Sequence, residues 1–188
     1  MTAVPTDPRT ARTQAKLRRA LLEECTHGPL AEVSVTAVVR RAGVGRATFY
    51  LHYGDLEALA VDACADIVRE AVEALHAWRG TPDPGTPPPA LLTFFDGLAS
   101  QAAPYRELLS PGGSGPLGHV LHRDLRARSH TERALAGAPA PDLFASAVAA
   151  TFVGVLADWL HGLIEATPAQ IARWIWRLLV HLHRTPLP

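Results

Sequence analysis

Residues 33–59 read VSVTAVVRRAGVGRATFYLHYGDLEAL, and they hold the densest group of side chains able to hydrogen-bond a partner. Once Val38, Val39, Ala42 and Phe49 turn inward to a small core, Thr36, Arg40, Arg46, Thr48, Tyr50 and His52 are left facing out. Hydroxyls, guanidinium forks, a phenol and an imidazole at this spacing suit phosphate oxygens and base edges. Nothing comparable is arranged for breaking bonds. No nucleophile stands with a base at motif spacing, and there is no phosphate-cradling loop or pair of carboxylates in an apolar setting. The chain is therefore not expected to be an enzyme. The pair His119 and His122 has an acceptable helical spacing for a metal, and His130, His161, His181 and His183 lie elsewhere in the same half. No cysteine or carboxylate set completes a site, so these histidines read as surface or packing residues, with no metal and no cofactor expected.

The outward set needs two short helices to hold it. Residues 33–42 form the first, with Ser34 as its N-cap and valines repeating at helical spacing. Gly43-Val44-Gly45 follows, where Gly43 permits a left-handed backbone and Val44 plugs the gap between the helices. Residues 46–52 form the second. An earlier helix over 10–27, ended by Gly28-Pro29, completes a three-helix helix-turn-helix unit. The chain has no formal net charge, yet residues 1–53 carry eight basic side chains against four acidic ones. A basic end on a neutral chain points to a polyanion partner; a merely solvated helix face is the other reading of the charge taken alone.

The stretch RRAGVGRATFYLHYGDLEAL, with ALLE in the first helix and VSVTAVV ahead of it, resembles the TetR family of bacterial transcriptional regulators. The resemblance runs without gaps over about residues 17–59 and is architectural beyond them. It implies that residues 46–52 are a recognition helix in the major groove. Arg46 would contact guanine, Ala47 a thymine methyl, and Thr36 a base or a phosphate. Thr48, Tyr50 and His52 would hold the phosphate backbone. Three positions depart from the family pattern: Gly45 replaces a hydroxyl cap, Leu56 replaces a phosphate-binding lysine, and Cys25 replaces a large aromatic. These departures imply weaker backbone affinity and an intact fold, with Arg12, Lys16 and the N-terminal arm as sources of compensation.

The remainder is expected to be helical as well, giving an all-α protein of about nine helices. Residues 1–55 would form the helix-turn-helix DNA-binding domain and 56–188 a larger ligand-binding and dimerisation domain. Expected helices span 56–79, 90–102, 104–109, 117–135, 142–166 and 167–183, the last capped by Thr167. Residues 81–89, with five prolines, form a stiff non-helical loop. The two last helices carry more apolar surface than one chain needs. Phe144, Val148, Val155, Trp174 and Leu178 are expected at a two-fold homodimer interface that presents two recognition helices to a palindromic operator in double-stranded DNA. Phe94, Phe95, Tyr105, Leu121, Leu125, Phe152 and Trp159 are expected to wall a pocket for a small hydrophobic or aromatic effector.

No apolar run approaches the length needed to cross a bilayer, and residues 1–10 are polar, so a cytoplasmic location without membrane contact is expected. Cys25 and Cys64 form no paired framework and read as reduced thiols. The expected function is a ligand-released repressor. The alternatives are a constitutive DNA-binding dimer without an effector and a helical carrier or enzyme.

Overall fold

A computed structural model describes residues 7–77 and 82–184. Among them lie ten α-helices, two 3-10 turns and no strand. By backbone contacts the chain divides into a first unit, Met1–Ala63, and a second, Cys64–Pro188.

The first unit holds α1 (Pro8–Glu24), a 3-10 turn (Leu30–Glu32), α2 (Val35–Ala42), α3 (Arg46–His52) and α4 (Leu56–Ala63). Three of these four α-helices start on a side-chain cap. Asp7 accepts from the Arg9 amide at 3.0 Å, Ser34 from the Ala37 amide at 3.1 Å, and Asp55 from the Ala58 amide at 2.8 Å. Helix α2 ends at Gly43, whose φ of 64° is the left-handed conformation that glycine adopts without strain. The core is formed by Leu17, Leu21, Val38, Phe49 and Leu59, all 0% exposed. Burial of Leu59 and Ala60 in contact with α1 draws residues 56–63 into the first unit, eight residues beyond the border expected at residue 55.

The second unit holds α5 (Ala65–Leu75), α6 (Pro89–Ser100), α7 (Ala102–Leu108), a 3-10 turn (Pro111–Gly113), α8 (Pro116–Leu135), α9 (Pro141–Leu160) and α10 (Pro168–Arg184). The single helix expected over 56–79 is thus two, α4 and α5, with the break at Cys64; counted as one, they restore nine helices. Its last two residues, and the first residue of the proline loop, lie outside the described residues. Helix α9 is shorter than expected because Gly162 turns left-handed, with φ of 75°, and the Leu163 and Ile164 amides fold back on the Asp158 carbonyl. Leu163 is consequently 70% exposed rather than part of an apolar stripe. Helix α10 starts in a reciprocal box: Thr167 Oγ1 accepts from the Gln170 amide and Gln170 Oε1 accepts from the Thr167 amide.

Helix α9 is the spine of this unit and contacts α7, α8, α10 and the Pro111–Gly113 turn. Gly118 in α8 lies so close to that turn that a Cβ would stand 1.9 Å from the Gly113 carbonyl oxygen. Two side chains cross-link helix ends: Arg106 Nε donates to the Leu160 carbonyl, and His161 Nε2 donates to the Leu109 carbonyl. The proline loop is pinned by Trp176, whose indole N–H donates to the Asp83 carbonyl at 2.7 Å. Contrary to the sequence expectation, α9 has the length and apolarity to cross a membrane, with a mean hydropathy of 1.8; half of that window is buried within the protein, as in a core helix.

Candidate nucleic-acid interface

The seven residues of α3 have one anchor and a broad outer face. Phe49 is completely buried and packs edge-on against Tyr50, with ring centroids 5.3 Å apart. That anchor turns Arg46, Ala47, Tyr50 and Leu51 outward, while Thr48 and His52 are half-buried on its flanks. Arg46 and Tyr50 are one turn apart, and the guanidinium carbon sits 5.8 Å from the phenol ring centroid. Thr36 is exposed on α2. The six residues expected to meet DNA therefore lie on one short helix and the start of its neighbour. Gly45 gives α3 no side-chain cap.

Two contributors escaped the sequence reading. Leu51 is 82% exposed on α3, an apolar side chain where polarity was sought. Tyr53, at the C-terminal end of α3, is buried and its hydroxyl donates to Asp62 Oδ2 on α4, which also pairs with Arg18 on α1 at 3.1 Å. Burial, then the Asp62 carboxylate, pushes the Tyr53 phenol above its ordinary range, so it stays a donor. This triad ties the end of α3 to both helices that support it. Aromatic spacing alone gave no sign of it, because Asp62 lies nine residues further on.

Charge is sorted by the same geometry. Arg18, Arg19 and Arg41 are held by Asp62, Glu23 and the Glu23–Glu24 pair. The Glu24 hydrogen bond, opposed by burial and aided by the nearby charges, raises Arg41 above its ordinary value. Among the described residues, Arg9, Arg12, Lys16, Arg40 and Arg46 carry no such ion pair, which leaves five cations for a polyanion.

In the second unit the residues expected to wall a pocket have different surroundings. Phe95, Leu121, Leu125 and Phe152 are at most 1% exposed and fill the core. Phe95 packs on Phe152 and on the half-buried Trp159, at 6.2 and 5.3 Å between centroids, and Trp159 donates its indole N–H to the Ala166 carbonyl. Phe94 and Tyr105 line a groove of about 660 Å³ between α5, α6 and α7 that also carries Glu70 and Glu73. Burial, then the neighbouring Glu70, Cys64 and Asp66, raise the Tyr105 phenol above its ordinary value. A second cavity of about 150 Å³ lies among α5, α8, α9 and α10, with Arg133 in its wall.

The expected dimer residues divide likewise. Phe144 and Val148 are 3% and 9% exposed and pack inside the unit; the Phe144 ring lies beneath the Arg133 guanidinium, 4.0 Å away. Val155 is half-buried, and Trp174 and Leu178 are exposed at 46% and 54%, one turn apart on α10. Leu143, 59% exposed at the start of α9, was not anticipated. Among the described residues, no group of three histidine, cysteine or acidic side chains could hold a metal ion.

Residues 17–63 match the family described as bacterial regulatory proteins, tetR family. No curated protein sequence matches the chain. Among solved structures, a TetR transcriptional regulator from Rhodococcus sp. RHA1 is 20% identical over 96% of this chain and 100% of that one, with a TM-score of 0.64. A TetR transcriptional regulator from Streptococcus agalactiae 2603V is 17% identical over 91% and 95%, with a TM-score of 0.61. NalD of Pseudomonas aeruginosa, the secondary repressor of the MexAB-OprM multidrug efflux pump, is 16% identical over 92% and 96%, with a TM-score of 0.60. At such identities the structural likeness speaks for an all-helical fold, and the matched segment speaks for its first unit. The segment that matches the tetR family of bacterial regulatory proteins, residues 17–63, is the one that holds α2, its glycine turn and α3.

Proposed function

We propose that the protein is a cytoplasmic repressor that binds a palindromic operator as a homodimer and is released by a small molecule. The observation that carries the reading is the outer face of α3. A single buried phenylalanine fixes the helix, and Arg46, Ala47, Tyr50 and Leu51 are presented together. Arg46 reads guanine through its fork, a contact worth about 1–3 kcal/mol of discrimination, while Ala47 and Leu51 meet thymine methyls. Thr36, Thr48, Tyr50 and His52 hold phosphates, which fix register and set the salt dependence.

The partner copy docks on the apolar strip of α9 and α10. Leu143, Val155, Trp174 and Leu178 supply contact area, and Ala147, Ala150 and Gly154 between them allow close helix approach. The effector acts by favouring a dimer geometry with wrongly spaced recognition helices, a coupling of typically about 1–3 kcal/mol. NalD's role as a repressor of an efflux pump is consistent with this sign of regulation.

Selection from random duplex DNA at one stated salt concentration tests the reading. The expected result is a two-fold symmetric site whose binding weakens with Arg46→Ala. No enrichment of any sequence overturns it.

A further inference from the structure

The 150 Å³ cavity of the second unit contains an electrostatic debt that the fold leaves open. Arg133 lies on the inward side of α8 and is only 6% exposed. Its Nη1 donates to His183 Nδ1 at 2.9 Å and to the His183 carbonyl at 3.4 Å, and Nη2 donates to the Pro139 carbonyl at 3.3 Å. All of these acceptors are neutral, since a donor facing Nδ1 requires the uncharged imidazole there. Nε is buried and has no partner. Among the described residues no carboxylate pairs with Arg133. The adjacent Glu132 is turned to Arg128, at 2.8 Å, and to His76, at 3.7 Å.

A lysine or histidine in this position could shed its proton, but an arginine cannot. Its neutral acceptors and the Phe144 ring beneath it leave the charge without a counter-ion, and the group whose geometry matches a free Nε edge of the guanidinium is a carboxylate. Glu132 also reaches the wall, but its carboxylate is engaged by Arg128 at 2.8 Å, and the body of the cavity is apolar, with Leu75, Val148, Trp176, Leu179 and Val180. A cavity of about 150 Å³ with such walls accommodates a single six-membered ring. Ser129 and His76, hydrogen-bonded to each other at 3.3 Å, line the same space and give a ring hydroxyl a partner.

We propose that this cavity binds a small monocarboxylate with a one-ring or comparably compact apolar body, its carboxylate seated on Arg133. The proposal deepens the effector part of the reading above and rests on it for its regulatory meaning, but not for the binding itself. It also changes the expected chemistry of the ligand from simply hydrophobic to anionic at one end.

The test uses the full chain without DNA, with benzoate as probe and benzamide as its neutral counterpart. Calorimetry is expected to show one saturable benzoate site per chain, and benzamide at least about tenfold weaker, which corresponds to about 1.4 kcal/mol. In ¹⁵N spectra of the wild-type protein, benzoate should move one arginine Nε–H resonance, the one missing from Arg133→Gln. That variant should lose benzoate binding by at least about tenfold. If it fails to fold, the wild-type comparison and the Nε–H shift still decide. Equal binding of the two probes, no saturable benzoate site up to about 10 mM, or an unmoved set of arginine Nε–H resonances overturns the site. Benzoate binding that leaves operator affinity unchanged sustains the site and overturns its role in release.

Discussion

The two units of the chain put their chemistry on opposite sides of their cores. In the first, every residue proposed to meet a partner stands on α2 or α3 away from the core, and the inside is packed with side chains such as Leu17, Leu21, Val38, Phe49 and Leu59. In the second, the most distinctive polar group, Arg133, is inside, stacked on Phe144 and facing a cavity. An outward function demands only that a small scaffold be rigid. An inward one demands that the scaffold tolerate a void and an incompletely satisfied charge, both of which cost stability. The difference teaches where each unit is vulnerable: the first through its anchor, the second through its packing around space.

The largest effect should come from the anchor. Phe49→Ala removes a completely buried ring from a small core and is expected to cost about 3–5 kcal/mol, with operator binding lost. Denaturant unfolding followed by circular dichroism, beside Phe152→Ala as the matching cut in the second unit, would break the comparison if the first unit tolerated its cut as well as the second.

Glycines sharpen it further. Gly118→Ala drives a Cβ into the Gly113 carbonyl and should cost about 1–3 kcal/mol or more through backbone displacement. At Gly43 nothing would lie within 4 Å of an added Cβ, so Gly43→Ala should cost only the left-handed conformation, about 1 kcal/mol. Thermal melts of both variants measure the difference; a reversed order would mean that α8 yields more readily than the α2–α3 turn.

Arg46→Ala should leave stability within about 0.5 kcal/mol of the parent while reducing discrimination at one base pair by about 1–3 kcal/mol, read by competition between matched and mismatched duplexes. Surface chemistry and fold are separable in the first unit if both outcomes appear together.

The smallest expected effect is a pH dependence of the second unit. Burial is the main cause that lowers His76, and burial with the Arg133 and Arg184 charges lowers His183. Both side chains are therefore neutral in the folded protein where the unfolded chain already takes up protons. Stability is full above the unfolded value of about 6.5 and falls as the pH drops below it toward the lowered folded values. Urea midpoints at pH 7 and pH 5 should differ in that direction, and less so in His76→Gln.

What was legible beforehand follows the same division. Ser34, Gly43, Phe49 and Asp55 act within a few residues of themselves, so their types and spacing announce a cap, a turn, an anchor and another cap. Asp62 was invisible because its partners, Arg18 and Tyr53, lie 44 and nine residues away. In the second unit the helices were legible from their periodicity, but the pocket was not. Phe95, Phe152 and Trp159 are the residues a pocket would want, and they instead pack on one another, a choice made by contacts across some 60 residues of chain. Nothing in the sequence sets Arg133 apart from Arg123, Arg126 and Arg128 on the same helix. Only the approach of Phe144, Pro139 and His183 makes it a buried one.

The placement of two indoles on α10 gives the protein a built-in optical gauge. Trp176 is 3% exposed with its N–H bonded to the Asp83 carbonyl, whereas Trp174, two residues away, is nearly half open to water. The first should emit at a short, stable wavelength and the second at a longer one that shifts to the blue when another surface covers it. Quenching by iodide over a dilution series would then track how α10 is occupied, in unlabelled protein and on either side of a titration with DNA or a small acid.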